Sequence, residues 1–202
     1  MSEKSSWLKL SGVAGVLTPL SAFVFIGLAI ASYRWFSWTR NALSDLGIVW
    51  GATAILFNFG LFLSGLLSLN FSLGLFILMR EKLAGKIGVS IFVLACLSLE
   101  GISLFPENMR PFHYIFSVAF FFLMPVSLLA ITVYYLKMDQ ARMAVFTFFV
   151  AIVAALPWVL QFTVPYVSGV AIPEAISAAA GSVWTLVLSY KMLKKTARVN
   201  SS

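Results

Sequence analysis

Six apolar runs, separated by short polar segments, cover approximately residues 12–31, 48–79, 84–104, 112–136, 144–164 and 171–190. Helix rises 1.5 Å per residue, so a run of about 20 apolar residues crosses the ~30 Å hydrocarbon core of a bilayer. The pattern predicts an all-α fold, a polytopic membrane bundle of six transmembrane helices forming one domain over residues 1–202. The second run is long enough to tilt or to project beyond the bilayer. Lys4, Lys9 and the stretch Ala29-Ile30-Ala31 imitate a signal peptide, but the first run is longer than a signal core, so a retained helix is expected. Pro19, Pro125 and Pro157 fall inside runs one, four and five. Each removes a backbone hydrogen bond and predicts a local kink.

Composition strengthens this reading. Charged residues make up 10% of the chain and hydrophobic ones 61%, with a mean hydropathy of +0.98. Soluble domains carry about a quarter of their residues as Asp, Glu, Lys and Arg. So few charges cannot coat a water-facing surface, and little chain remains for a separate soluble domain. The one cysteine, Cys96, lies within an apolar run, excludes an intrachain disulfide, and reads as a small core residue.

Charge placement predicts orientation. Lys4, Lys9, Arg80, Lys82, Lys86, Lys137, Arg142, Lys191, Lys194, Lys195 and Arg198 fall on one side, whereas only Arg34, Arg40 and Arg110 fall on the other. The excess of Lys and Arg marks the inner face, so a multi-pass plasma-membrane protein with both termini cytoplasmic is expected. This placement accounts for the net charge of +7 without nucleic acid. Membrane lipids are the expected partners, and the C-terminal basic residues are placed to meet anionic headgroups. Tyr33, Trp35, Phe36, Trp38 and Trp50 crowd the first outer loop, and Tyr134, Tyr135 and Tyr190 sit at inner helix ends. Amphipathic rings favour that headgroup level. Gly60, Ser64, Ser68 and Ser72 form a smooth stripe on the second helix, and Ser177 with Gly181 and Ala178 with Ser182 do the same on the sixth. Such spacing allows close helix approach, here read as internal packing ahead of a dimer face, with the oligomeric state left open.

Candidate chemistry concentrates at the outer side, in Asp45, Glu100, Glu107, Glu174 and the single histidine, His113. Glu100 sits inside the apolar third run, where an ionised carboxylate needs a partner. His113, Arg110 and Arg40 lie at similar depth. The short 105–111 loop makes helices three and four antiparallel neighbours and brings Glu100 toward His113. One reading is a general acid/base pair at the interface; the other is a bond that pins two helix ends. Ser44 and Asp45 suit a helix start, Ser by capping and Asp by the dipole, but Trp38-Thr39-Arg40-Asn41 before them is not explained that way. Pro173-Glu174 reads as the capped start of helix six. Asn58, Asn70 and Gln161 read as interhelical hydrogen-bonding groups. One histidine excludes a multi-histidine metal site, and a zinc site from His113, Asp45 and Glu100 has no supporting spacing. There is no glycine-rich phosphate loop and no nucleophile elbow, and the residues name no cofactor.

The stretch Phe36-Ser37-Trp38-Thr39-Arg40-Asn41-Ala42-Leu43-Ser44-Asp45-Leu46-Gly47 resembles the signature of a family of small six-helix membrane proteins, mainly archaeal, catalogued as domain of unknown function nine-nine-eight. Phe57-Asn58, the turn Leu104-Phe105-Pro106-Glu107 and His113 are similar to its other recurring points. The resemblance implies the six-helix fold and a joint role for Asn41, Ser44, Asp45, Glu107 and His113 on one face. It brings no activity.

Three functions from different classes follow. The leading one is a small-molecule or lipid-headgroup site at the extracytoplasmic face. In its enzymatic form, Asp45 or Glu100 is the base and His113 the acid/base partner. Arg40, Asn41, Ser44, Glu107 and Arg110 bind substrate, with an arginine clamping an anionic group. The second is a passive transporter or channel lined by Asn58, Ser64, Ser68, Asn70 and Gln161. The third is a structural membrane protein whose outer residues cap helices and meet a partner. Whether the chain is an enzyme stays open at this point.

Overall fold

A computed structural model describes residues 3–200, with Lys4, Val199 and Asn200 described in their backbone only. The expected domain's residues 1–2 and 201–202, and the expected role of the Lys4 side chain, lie outside the described residues. Six helices account for nearly all of the chain: α1 (Glu3–Ser32), α2 (Ala52–Met79), α3 (Leu83–Leu104), α4 (Phe112–Leu136), α5 (Ala141–Thr163) and α6 (Ala171–Asn200). All six are long and apolar enough to cross a membrane. No strand occurs among the described residues. The chain is an integral membrane protein of the expected all-α class.

The helices run up and down as a closed ring. Each packs against the next in sequence, α6 closes against α1, and α4 touches α6 across the middle. The connections α1–α2, α3–α4 and α5–α6 share one end, called the upper end here, and the two termini share the lower end with the other connections.

Three boundaries differ from those expected. Helix α1 begins at Glu3 and α6 runs on to Asn200. Hydropathy locates where a helix lies in lipid, whereas these ends are held by each other. Leu8 is buried in the lower core, and Gly12 faces Met192 and Leu193 so closely that a Cβ there would touch both. Helix α2 begins at Ala52, because Ser44–Ile48 is a separate 3-10 turn and Gly51 breaks the chain direction with φ +84°, a conformation glycine adopts without steric cost.

Lipid tails are as apolar as leucine, so close backbone approach and buried hydrogen bonds hold such a ring together. The small-residue stripe of α2 serves this purpose against α1. A Cβ on Gly60 would collide with Phe25, Ser64 meets Ser21 at 2.7 Å, and Ser11 donates to the Asn70 carbonyl at 2.9 Å. On α6, Ser177 donates to the Ala154 carbonyl of α5 (2.6 Å) and accepts from the Trp158 indole (3.0 Å). Below the middle of the ring, Phe71, Phe92 and Trp184 meet edge-on or tilted, with centroids 5.7–6.2 Å apart. Trp184 is wholly buried, and its indole N–H donates to Thr147 at 3.1 Å. This aromatic floor closes the ring's lower half.

Candidate functional site: a roofed chamber at the upper end

The segment Asn41–Ile48 folds down between the helices instead of lying over them. Leu43 and Leu46 are 7% and 0% exposed and join Ala29, Phe57, Leu61, Ile102 and Ala171 in an upper core. Non-helical backbone at such a position must have its polar groups satisfied by protein. Here they are. The Asn41 carbonyl accepts the N–H groups of Val170 (3.1 Å) and Ala171 (2.9 Å), and Gly169 N–H donates to the Thr39 carbonyl (2.8 Å). Leu43 N–H donates to the Glu174 carboxylate at 2.5 Å, and the Ser44 hydroxyl donates to Glu107 at 2.9 Å. Within the segment, the Asp45 carboxylate accepts from the Asn41 amide (2.7 Å) and from Ala42 N–H (3.0 Å). The Asn58 amide donates to the Gly47 carbonyl at 2.9 Å. A Cβ on Gly169 would collide with the Arg40–Asn41 backbone, so glycine is what lets the α5–α6 connection close onto this roof.

Beneath the roof lies a chamber of about 130 Å³, lined from above by Leu43 and Ser44, from below by Phe92, and on its sides by α1, α2, α3, α4 and α6. Its wall is mainly apolar. The polar groups that interrupt it are hydroxyls, among them Thr18, Ser64, Ser68, Ser117 and Thr185, together with Glu174 at the roof. Glu174 is 7% exposed. The expected helix cap at Pro173-Glu174 is therefore a buried carboxyl group that ties the roof to α6 and lines the chamber.

The sequence-expected residues divide between this roof and other places. Asn41, Ser44, Asp45 and Glu107 come together as roof fastenings. Arg110 pairs with Glu107 at 3.4 Å with its side chain 74% exposed. Arg40 reaches the Ser37 hydroxyl at 3.4 Å on the surface. His113 is buried. Its Nδ1 donates to the Phe105 carbonyl (2.8 Å), so in the neutral ring Nε2 accepts from Ser117, 3.2 Å away. Glu100 is buried and neither of its carboxyl oxygens has a hydrogen-bond partner. It abuts Gly65 of α2, where a Cβ would stand 2.7 Å from its Cδ.

The expected Glu100–His113 approach is therefore corrected. Helices α3 and α4 are neighbours, but α3 is rotated to turn Glu100 toward α2, and His113 turns back onto its own preceding loop. Among the described residues, Asp45, Glu100 and His113 make no hydrogen bond to one another, and neither Arg40 nor Arg110 bonds Glu100. Among the described residues, no group of three or more His, Cys, Asp or Glu side chains is placed to hold a metal ion. Of the side chains expected along a channel, Ser64 and Ser68 line the chamber. Asn58 holds the roof, and Gln161 donates to the Val167 carbonyl at 2.8 Å. Glu174, read from the sequence as a helix start, was left out of the expected site because its partner Leu43 lies 131 positions away.

Six membrane-crossing helices closed into a ring define a polytopic integral membrane protein. More particularly, the chain belongs to the family described as "Protein of unknown function (DUF998)", whose model matches residues 16–191, a span that includes the whole roof and chamber. No curated protein matches the chain, and no solved structure matches it.

Proposed function

We propose that the protein binds a small, mainly apolar molecule within the membrane, in the chamber beneath the Asn41–Ile48 roof. The observation that carries this reading is the chamber itself: space of about 130 Å³ between the helices, walled mainly by apolar side chains and topped by a few polar groups. Binding sites for small molecules have this character, a mostly apolar concavity with a small number of placed polar atoms. An engineered cavity of comparable size, about 150 Å³, takes up benzene.

In this reading Ser44 and Glu174 touch the occupant. Asn41, Asp45 and Glu107 keep the roof in place, and His113 positions Ser117 on the chamber wall. Arg40, Arg110 and Glu100 stand apart from the occupant. The site faces the extracytoplasmic side of the plasma membrane, an orientation supported by the excess of basic residues at the lower end. Passage straight through the ring is disfavoured by the Phe71–Phe92–Trp184 floor.

The test uses protein in zwitterionic nanodiscs and fluorobenzene observed by 19F NMR against empty discs. A saturable bound signal is expected in the wild type and its loss in Ala178→Leu, which fills the chamber from α6. No saturable signal in the wild type, or a signal that Ala178→Leu leaves unchanged, refutes the reading.

A further inference from the structure

We infer that the chamber selects a small apolar amine, bound as an organic cation whose ammonium group sits against Glu174. The inference rests on the chamber being a binding site and adds the chemical class of its occupant.

Charge comes first. Glu174 lines the chamber, yet among the described residues no lysine, arginine or histidine does. Its hydrogen bond is to the neutral Leu43 N–H, and the charged groups that act on it, Glu107 and Asp45, are themselves acidic. A buried carboxyl group is costly to ionise alone, and an entering amine that takes its proton becomes the cationic partner that offsets that cost. A carboxylate or phosphate group supplies no such partner.

Hydrogen-bond polarity points the same way. Around the chamber six of the seven hydroxyl hydrogens are already committed, Ser182 being the exception: Thr18 to the Ala14 carbonyl (3.0 Å), Ser64 to Gly60 (2.7 Å), Ser68 to Gly65 (2.8 Å) and Thr185 to Gly181 (2.9 Å). Ser44 donates to Glu107, and Ser117 to His113. A hydroxyl has one hydrogen and two lone pairs, so these groups offer an occupant their lone pairs. An ammonium group is the matching counterpart, since it only donates. The remaining wall includes the rings of Phe57, Phe92, Phe120 and Phe121, and aromatic rings tolerate a desolvated cation better than aliphatic side chains do.

The experiment extends the 19F assay to 4-fluorobenzylamine, 4-fluorobenzyl alcohol and 4-fluorobenzoate at neutral pH, each read against empty discs. In the wild type the amine is expected to bind at least about tenfold tighter than the benzoate, with the alcohol between them, a gap of about 1.4 kcal/mol. Glu174→Gln keeps an acceptor for Leu43 N–H but no charge. It is expected to remove the advantage of the amine over the alcohol. If fluorobenzene binds the wild type but the amine binds no tighter than the alcohol or the benzoate, the chamber stands and the selectivity is overturned. If none of the four probes binds, both fall. Should Glu174→Gln fail to fold, the wild-type ranking alone decides.

Discussion

The bond from Leu43 N–H to Glu174 ties the roof to α6, and its weight can be worked out from its surroundings. Both groups are buried, so replacing Glu174 by Ala leaves a backbone N–H with neither partner nor water. Such a group costs about 1–3 kcal/mol. That cost appears as easier local opening of segment 41–48, by a factor of about 5 to 150 at 1.4 kcal/mol per tenfold. Glu174→Gln keeps a neutral acceptor. Because charge-assisted bonds are roughly twice as strong as neutral ones, its loss should be about 1 kcal/mol or less, a factor of about five at most. Hydrogen–deuterium exchange of the peptide covering residues 41–48, in nanodiscs, reads both values. Exchange should accelerate in the order wild type, Gln, Ala. If Ala stays within twofold of the wild type, or Gln is as damaging as Ala, the roof does not hang on this bond.

Other expectations concern the packing around the chamber. Glu100 has no partner for either oxygen, so Glu100→Met, close in shape and without the polar atoms, should raise stability by about 1–3 kcal/mol; a lower melting temperature would show that the carboxyl group has an undetected favourable role. Trp184→Phe removes the bond to Thr147 and part of the floor's volume, and should cost about 2–4 kcal/mol, read as a lower melting temperature in detergent. For orientation, in a Cys96→Ala background a membrane-impermeant maleimide applied to intact cells should label Thr39→Cys and leave Lys82→Cys unlabelled. The reverse pattern would invert the topology.

The six spans were legible because lipid imposes a length and a composition on anything that crosses it, and the residues between Gly12 and Tyr190 meet both demands. What hydropathy could not show was where a helix outlasts the bilayer, as α1 and α6 do through contacts such as Leu8 in the lower core and Gly12 against Leu193. The roof was half legible. Trp38-Thr39-Arg40-Asn41 stood out as a cluster that a helix start did not explain, and Asn41-Ala42-Leu43-Ser44-Asp45-Leu46-Gly47 as the most specific part of the family resemblance. Its polar members suggested a helix cap in water, whereas Leu43 and Leu46, three positions apart, were the sign that it dips inward. Glu100 and His113 were placed at the right ends of adjacent helices. Which way each side chain turns depends on helix rotation, set here by Gly65 on α2 and by the Phe105 carbonyl, and no spacing within α3 or α4 reveals it. Glu174 was the costliest omission, since Pro173-Glu174 is fully explained locally as a helix start and its long-range bond leaves no local trace.

The roof also has a kinetic consequence. Its fastenings come from the α3–α4 connection through Glu107, from the α5–α6 connection through Gly169 and Val170, and from α6 itself through Glu174. Releasing one leaves the segment tethered by the others, so the roof lifts only when several let go at the same moment. Opening of segment 41–48 is then rarer than the loss of any single fastening.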